Sequence, residues 1–74
     1  MGIYSEIITR IQAVTRTRTQ TALAEILEIK QSSISDAKRR NFVPAAWYMK
    51  LFEKLGVNPD WLKSGIGPVY LRTE

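Results

Sequence analysis

Cysteine and histidine are both absent from the 74 residues. Without cysteine there is no disulfide, no thiolate nucleophile and no thiolate metal ligand, which fits a reducing compartment. Without histidine, serine–histidine catalysis and the usual zinc sites are excluded as well. The four glycines form neither a GxGxxG pattern nor a phosphate-cradling loop. No apolar run approaches the roughly 20 residues that span a bilayer. The opening MGIYSEII lacks the basic region of a secretory signal, so a cytoplasmic location is expected, with no membrane partner. The acidic residues are scattered. Glu25 and Glu28 lie close together, but on a helix end facing water, a poor place for paired acid and base work. An enzyme is therefore not expected, and neither is a cofactor or a metal.

What remains is ordinary globular material. The chain is 45% apolar and 24% charged, too apolar for a disordered segment. Its length allows one domain, which buries only about 60% of the surface its unfolded chain exposes, so the core is small. The net charge of +4 is concentrated: Arg10 to Arg40 holds seven Lys or Arg against three Asp or Glu. A cationic surface of this kind attracts a polyanion whatever its sequence, because binding releases condensed counterions.

That basic stretch has internal order. Leu23, Ala24 and Leu27 recur at three- and four-residue steps, which places them on one helical face. The small Ala24 between the two leucines lets a second helix cross closely, as a helix-turn-helix requires. Ile29 is positioned to plug the turn. From Gln31 to Arg40 the only apolar residues are Ile34 and Ala37, so a second helix here touches its own core along a thin line. The rest of its surface carries Gln31, Ser32, Ser33, Ser35, Asp36, Lys38, Arg39 and Arg40, groups suited to base edges and phosphates. Such a helix is either simply solvated or displayed for a partner.

The run Gln20, Leu23, Ala24, Leu27, Ile29, Ile34 resembles the helix-turn-helix pattern of phage repressors. The later string VNPDWLKSGIGP, Val57 to Pro68, is similar to the segment that closes the DNA-binding domain of CI-type bacteriophage repressors. The resemblance implies an all-α, lambda-repressor-like domain of five helices and a role in binding DNA. It also implies that Gln31, Ser32, Ser35 and Asp36 lie on the groove-facing side of the second helix, and that Gln20 faces the DNA backbone from its helix start. Two positions depart from the pattern. Glu28 stands where the family usually has a turn glycine, which strains the residue if φ is positive there. Lys30 occupies the position that caps the second helix, and lysine is a poor N-cap.

Within that frame the side chains take definite roles. Gln31 can pair in bidentate fashion with adenine, whereas Ser32 and Ser35 donate or accept and specify little. Asp36 either accepts from a cytosine amine or pairs along the helix with Arg40. Phosphate contacts are expected from Arg16, Arg18, Thr19, Gln20, Lys30, Lys38, Arg39 and Arg40. Arg16 and Arg18 read equally as solvated charges, and Lys38 to Arg40 as cations favoured at a helix C-terminus. Thr19 is also placed to cap the helix that Gln20 opens.

The flanks read as support. Ile3, Ile7, Ile11 and Val14, with Ile8 beside them, form an apolar stripe over about residues 3 to 14. Pro44 supplies the preset φ of a first helical residue, and Ala46, Trp47, Leu51, Phe52 and Leu55 then repeat at helical spacing up to Gly56. Asn58 followed by Pro59 is an N-cap with a first-turn proline, opening a short helix with Trp61 and Leu62 that ends at Gly65. Val69, Tyr70 and Leu71 could pack on the core, add an extended segment or meet a second subunit.

The expected organisation is a helix-turn-helix DNA-binding domain over residues 1–68, with 69–74 as a tail or the start of a linker. The expected function is sequence-specific transcriptional regulation: a phage or prophage repressor whose helix Gln31 to Arg40 enters the major groove of a palindromic operator. The partner is double-stranded DNA, bound as a homodimer. Alone, the chain is either an excised module, monomeric by itself, or a complete small regulator. Two other functions fit the same fold: an antitoxin-type regulator that also binds a protein, and a protein-interaction module.

Overall fold

A computed structural model describes residues 3–71, so residues 72–74 of the expected tail lie outside the described residues. Five helices follow one another: α1 Ile3–Thr15, α2 Gln20–Leu27, α3 Gln31–Arg40, α4 Ala45–Leu55 and α5 Pro59–Ser64. The fold is all-α, as expected. One core joins them, with Ile11, Leu23, Leu27, Ile34, Leu51, Val57 and Leu62 all essentially inaccessible to solvent.

The buried stripe of α1 is Tyr4, Ile7 and Ile11, with Ile8 and Val14 partly packed against the core. Ile3 was expected in that stripe, yet it is 62% exposed. Helical side chains tilt toward the N-terminus, and Ile3, opening the helix, has no earlier turn to cover. Tyr4 takes its place, and its backbone N–H donates to Asn41 Oδ1 at 2.9 Å. That bond ties the start of α1 to the end of α3.

Three helix ends share one device without glycine. Arg16, Glu28 and Asn41 all adopt left-handed backbone, with φ of 58°, 60° and 55°. In each case the next residue reaches back five positions: Thr17 N–H to Gln12 O, Ile29 N–H to Ala24 O and Phe42 N–H to Ala37 O, at 3.0–3.1 Å. These six-to-one bonds satisfy carbonyls that the ending helix would leave open. After α1, the Thr15 and Thr17 hydroxyls also share a hydrogen bond of 2.9 Å. The link TRTRT is therefore an ordered corner.

In α4 the buried residues are Trp47, Tyr48 and Leu51. Of the apolar set read from spacing, Ala46 and Leu55 are exposed and Phe52 is half-buried. The core-facing stripe is rotated by one residue toward Tyr48, which lies beneath Lys63, its Nζ 5.1 Å from the ring centre. Pro44 is the N-cap and not the first helical residue: its φ of −61° suits a helix, but its ψ of 144° is extended.

Asn58 caps α5 as expected, its Oδ1 accepting from Asp60 N–H at 3.0 Å. Its amide donates to Pro68 O at 2.9 Å, which turns the chain back on itself. Of the three arrangements open to Val69, Tyr70 and Leu71, the extended one forms. Val57 and Tyr70 make an antiparallel bridge, flanked by Asn58 N–H to Val69 O at 2.7 Å and Leu71 N–H to Gly56 O at 2.8 Å. At the other end of α5, Arg10 Nη1 donates to Leu62 O at 2.9 Å, a cation placed on C-terminal carbonyls. A Cβ on Gly65 would lie 2.9 Å from that guanidinium, and Gly65 has φ of +78°. The left-handed backbone favours glycine there, and an added Cβ would have to push the Arg10 guanidinium aside.

Candidate nucleic-acid interface

The polar helix α3 is held as the sequence implied. Ile34 and Ala37 are 0% and 3% exposed, and they are its only buried residues. Gln31, Ser32, Ser33, Ser35, Lys38, Arg39 and Arg40 are exposed, with Asp36 half-buried. α2 meets it through the corner at Glu28, and Ile29 packs partly against the core beneath that corner. Lys30 is the N-cap of α3 and makes no side-chain capping bond. Thr19 does cap α2: its Oγ1 accepts from Ala22 N–H at 3.1 Å, which leaves the hydroxyl proton available to donate elsewhere.

Three of the residues expected to contact phosphate converge. Arg18, Gln20 and Lys38 line one cleft of about 330 Å³ formed where α1, α2 and α3 meet, floored by Ile8, Leu23 and Ile34. Ser5, Thr9 and Gln12 of α1 line the same cleft, and sequence reasoning missed them. The signal was present, since positions 5, 9 and 12 make a polar stripe at helical spacing beside the apolar one. Arg16 and Lys30 are exposed and stand outside that lining.

The cations of α3 are not equivalent. Asp36 pairs with Arg39 and, through Oδ2, with Arg40 Nε at 3.2 Å. Both reach along the helix by three or four residues, the spacing at which side chains meet. Lys38, Arg16, Arg18 and Lys30 make no ion pair among the described residues. A separate, more apolar hollow of about 420 Å³ lies between Ile3, Phe42 and Tyr48. It is poorly suited to a polyanion, having a single cation, Lys63, in its lining.

The family model for the bacteriophage CI repressor helix-turn-helix domain matches residues 6–70. The chain belongs to that family. Among curated proteins and among solved structures, nothing matches it. The family is a DNA-binding repressor domain and not an enzyme class, so this CI-type domain is a DNA-binding regulator. No helix among the described residues is long and apolar enough to cross a membrane.

Glu28 closes α2 in left-handed backbone, and the structure accounts for it there. At φ of +60° it occupies the conformation glycine adopts without penalty. In return its carboxylate reaches α4, with Oε1 accepting from Lys50 Nζ and Oε2 from Lys54 Nζ, each at 2.9 Å. Sequence reasoning placed Glu28 facing water and did not foresee this bridge, because its partners lie 22 and 26 residues away. The two ammonium groups hold the Glu28 carboxyl at about 2, well below the ordinary glutamate range. A depressed folded value means the bridge contributes stability above the unfolded pKa, near 4, and loses it as pH falls toward about 2. Carbon-13 titration of the Glu28 carboxyl should give a midpoint near about 2, rising in the Lys50→Ala, Lys54→Ala variant. An ordinary midpoint in the parent would mean the bridge does not form in solution. The group is exposed, so added salt should also raise the midpoint.

Proposed function

We propose that this domain represses transcription by lying across an operator with α3 in the major groove, as one half of a homodimer on a palindromic site. The observation that supports this most is the helix itself. α3 buries only Ile34 and Ala37 and turns every other side chain toward solvent or toward its own arginines. Gln31, in the first turn, reads a base, with Ser32 and Ser35 beside it. Asp36 lies on the same side of the helix. Arg18, Gln20 and Lys38 take phosphates at the cleft they share, with Arg16, Thr19, Lys30, Arg39 and Arg40 as further backbone contacts. A single such helix reads only a few base pairs, and doubling it on a two-fold axis is the usual remedy.

The test is selection of binding sites from random duplexes, followed by affinity measurements across salt. The expected selected site is an inverted repeat, with affinity falling steeply as salt rises. Gln31→Ala should cost about 1 to 3 kcal/mol, confined to one base position in each half-site. Selection that returns no common sequence, with binding indifferent to salt, would overturn the repressor reading in favour of a protein-binding role. Tight capture of one protein alongside operator binding would point to the antitoxin-type regulator.

A further inference from the structure

We propose that Asp36 is a positioning residue that holds Arg39 and Arg40 along α3 and thereby restrains the helix's sequence-independent attraction to a nucleic-acid backbone. The inference rests on the DNA-binding reading of α3 and adds to it a reason for an acid on that surface.

Three features of the structure carry it. The last turn of α3 gathers Lys38, Arg39 and Arg40, and a single carboxylate is bonded to two of the three. The arginine side chains are 73% and 70% exposed, and that of Asp36 is 40% exposed. The pairs therefore lie at the surface a duplex would approach.

Helix stability explains the arrangement poorly, because exposed pairs of this kind add little. Toward a polyanion the same contacts matter more. An arginine already bonded to a carboxylate must exchange one anion for another to reach a phosphate, and the displaced carboxylate then faces phosphate of like charge. Each cation so restrained releases fewer counterions on binding. Lys38, which makes no ion pair among the described residues, keeps its full attraction. One turn thus holds a free cation and two restrained ones.

The experiment compares the full chain with Asp36→Asn, Asp36→Glu and the Arg39→Ala, Arg40→Ala double variant with and without Asp36→Asn. Each binds a random-sequence duplex across a salt series, with helix melting followed by circular dichroism to show that the fold is kept. Asp36→Ser serves as a second uncharged replacement should Asp36→Asn melt early. The expected result is binding about 3- to 10-fold tighter at low salt for Asp36→Asn, with a salt dependence steeper by about 1 to 2 released counterions. Asp36→Glu should behave as the parent, and the steepening should vanish once both arginines are alanine.

An unchanged slope in Asp36→Asn overturns the proposal while leaving the DNA-binding reading intact, provided the parent binds in a salt-sensitive way. Equal steepening without the arginines overturns it too, since Asp36 would then act as a bare charge. So does a loss confined to one base pair, which would make Asp36 a base contact. A parent with no salt-sensitive binding overturns both readings.

Discussion

Ile34→Ala should destabilise the domain by about 2 to 5 kcal/mol, the cost of emptying a fully buried branched side chain. Ile34 is 0% exposed, and a chain of this length has only about 4 to 11 kcal/mol in total. Alanine's better helix propensity returns well under 1 kcal/mol, so the cavity decides the sign. The location of the damage is as specific as its size. With Ile34 shortened, Ala37 is the one fully buried side chain left on α3, and the α3 amides should lose protection from hydrogen exchange before those of α1 and α4. Duplex binding should then weaken by more than the unfolded fraction accounts for. Ile34→Val, which removes one methylene, should cost about 0.5 to 1.5 kcal/mol. Urea denaturation measures the stabilities and exchange measures the order of opening. A loss under about 1 kcal/mol for Ile34→Ala would mean that α3 is anchored by something other than this side chain.

That anchoring was legible in the sequence because it is local. Ile34 and Ala37 stand three apart in an otherwise polar run, and helical periodicity alone turns them to one side. Thr19 ahead of Gln20 and Asn58 ahead of Pro59 were legible for the same reason: a cap bonds to amides two or three residues away. Gly56 and Gly65 marked two helix ends, both in left-handed backbone. What the sequence hid depends on distance or on exact rotation. Arg16 closes a helix as glycine often does, and nothing in its side chain announces it; Asn41 does the same, and asparagine carries only a mild left-handed preference. Tyr4 in place of Ile3, and Tyr48 in place of Leu55, are small rotations about a helix axis set by neighbouring helices. The bridge from Glu28 to α4 and the reach of Arg10 onto α5 span from 22 to 52 residues. At the interface the exposed face of α3 was readable, but the polar stripe of α1 in the shared cleft required the packing of three helices.

The convergence in that cleft yields the second large effect. Arg18→Ala combined with Lys38→Ala should weaken binding to every duplex, operator or random, by roughly 30- to 1,000-fold. The figure corresponds to about 2 to 4 kcal/mol for two charge-assisted hydrogen bonds to phosphate. Arg18 comes from the corner between α1 and α2, Lys38 from the last turn of α3, and Gln20 opens α2 on the same cleft. A phosphate seated there would therefore be held by three separately anchored side chains. Such a contact fixes where α3 sits along the groove without itself reading a base. Two signatures separate it from loss of base readout. The salt dependence of the double variant should be shallower by about 2 released counterions, and its preference among operator sequences should be nearly unchanged. Gln31→Ala should do the reverse, keeping the slope and losing discrimination at one position. If the charge variant keeps the parent slope, with its helices melting normally, then the cleft is not where this CI-type domain meets the backbone. The phosphate contacts would then have to come from exposed cations outside its lining, Arg16, Lys30, Arg39 and Arg40.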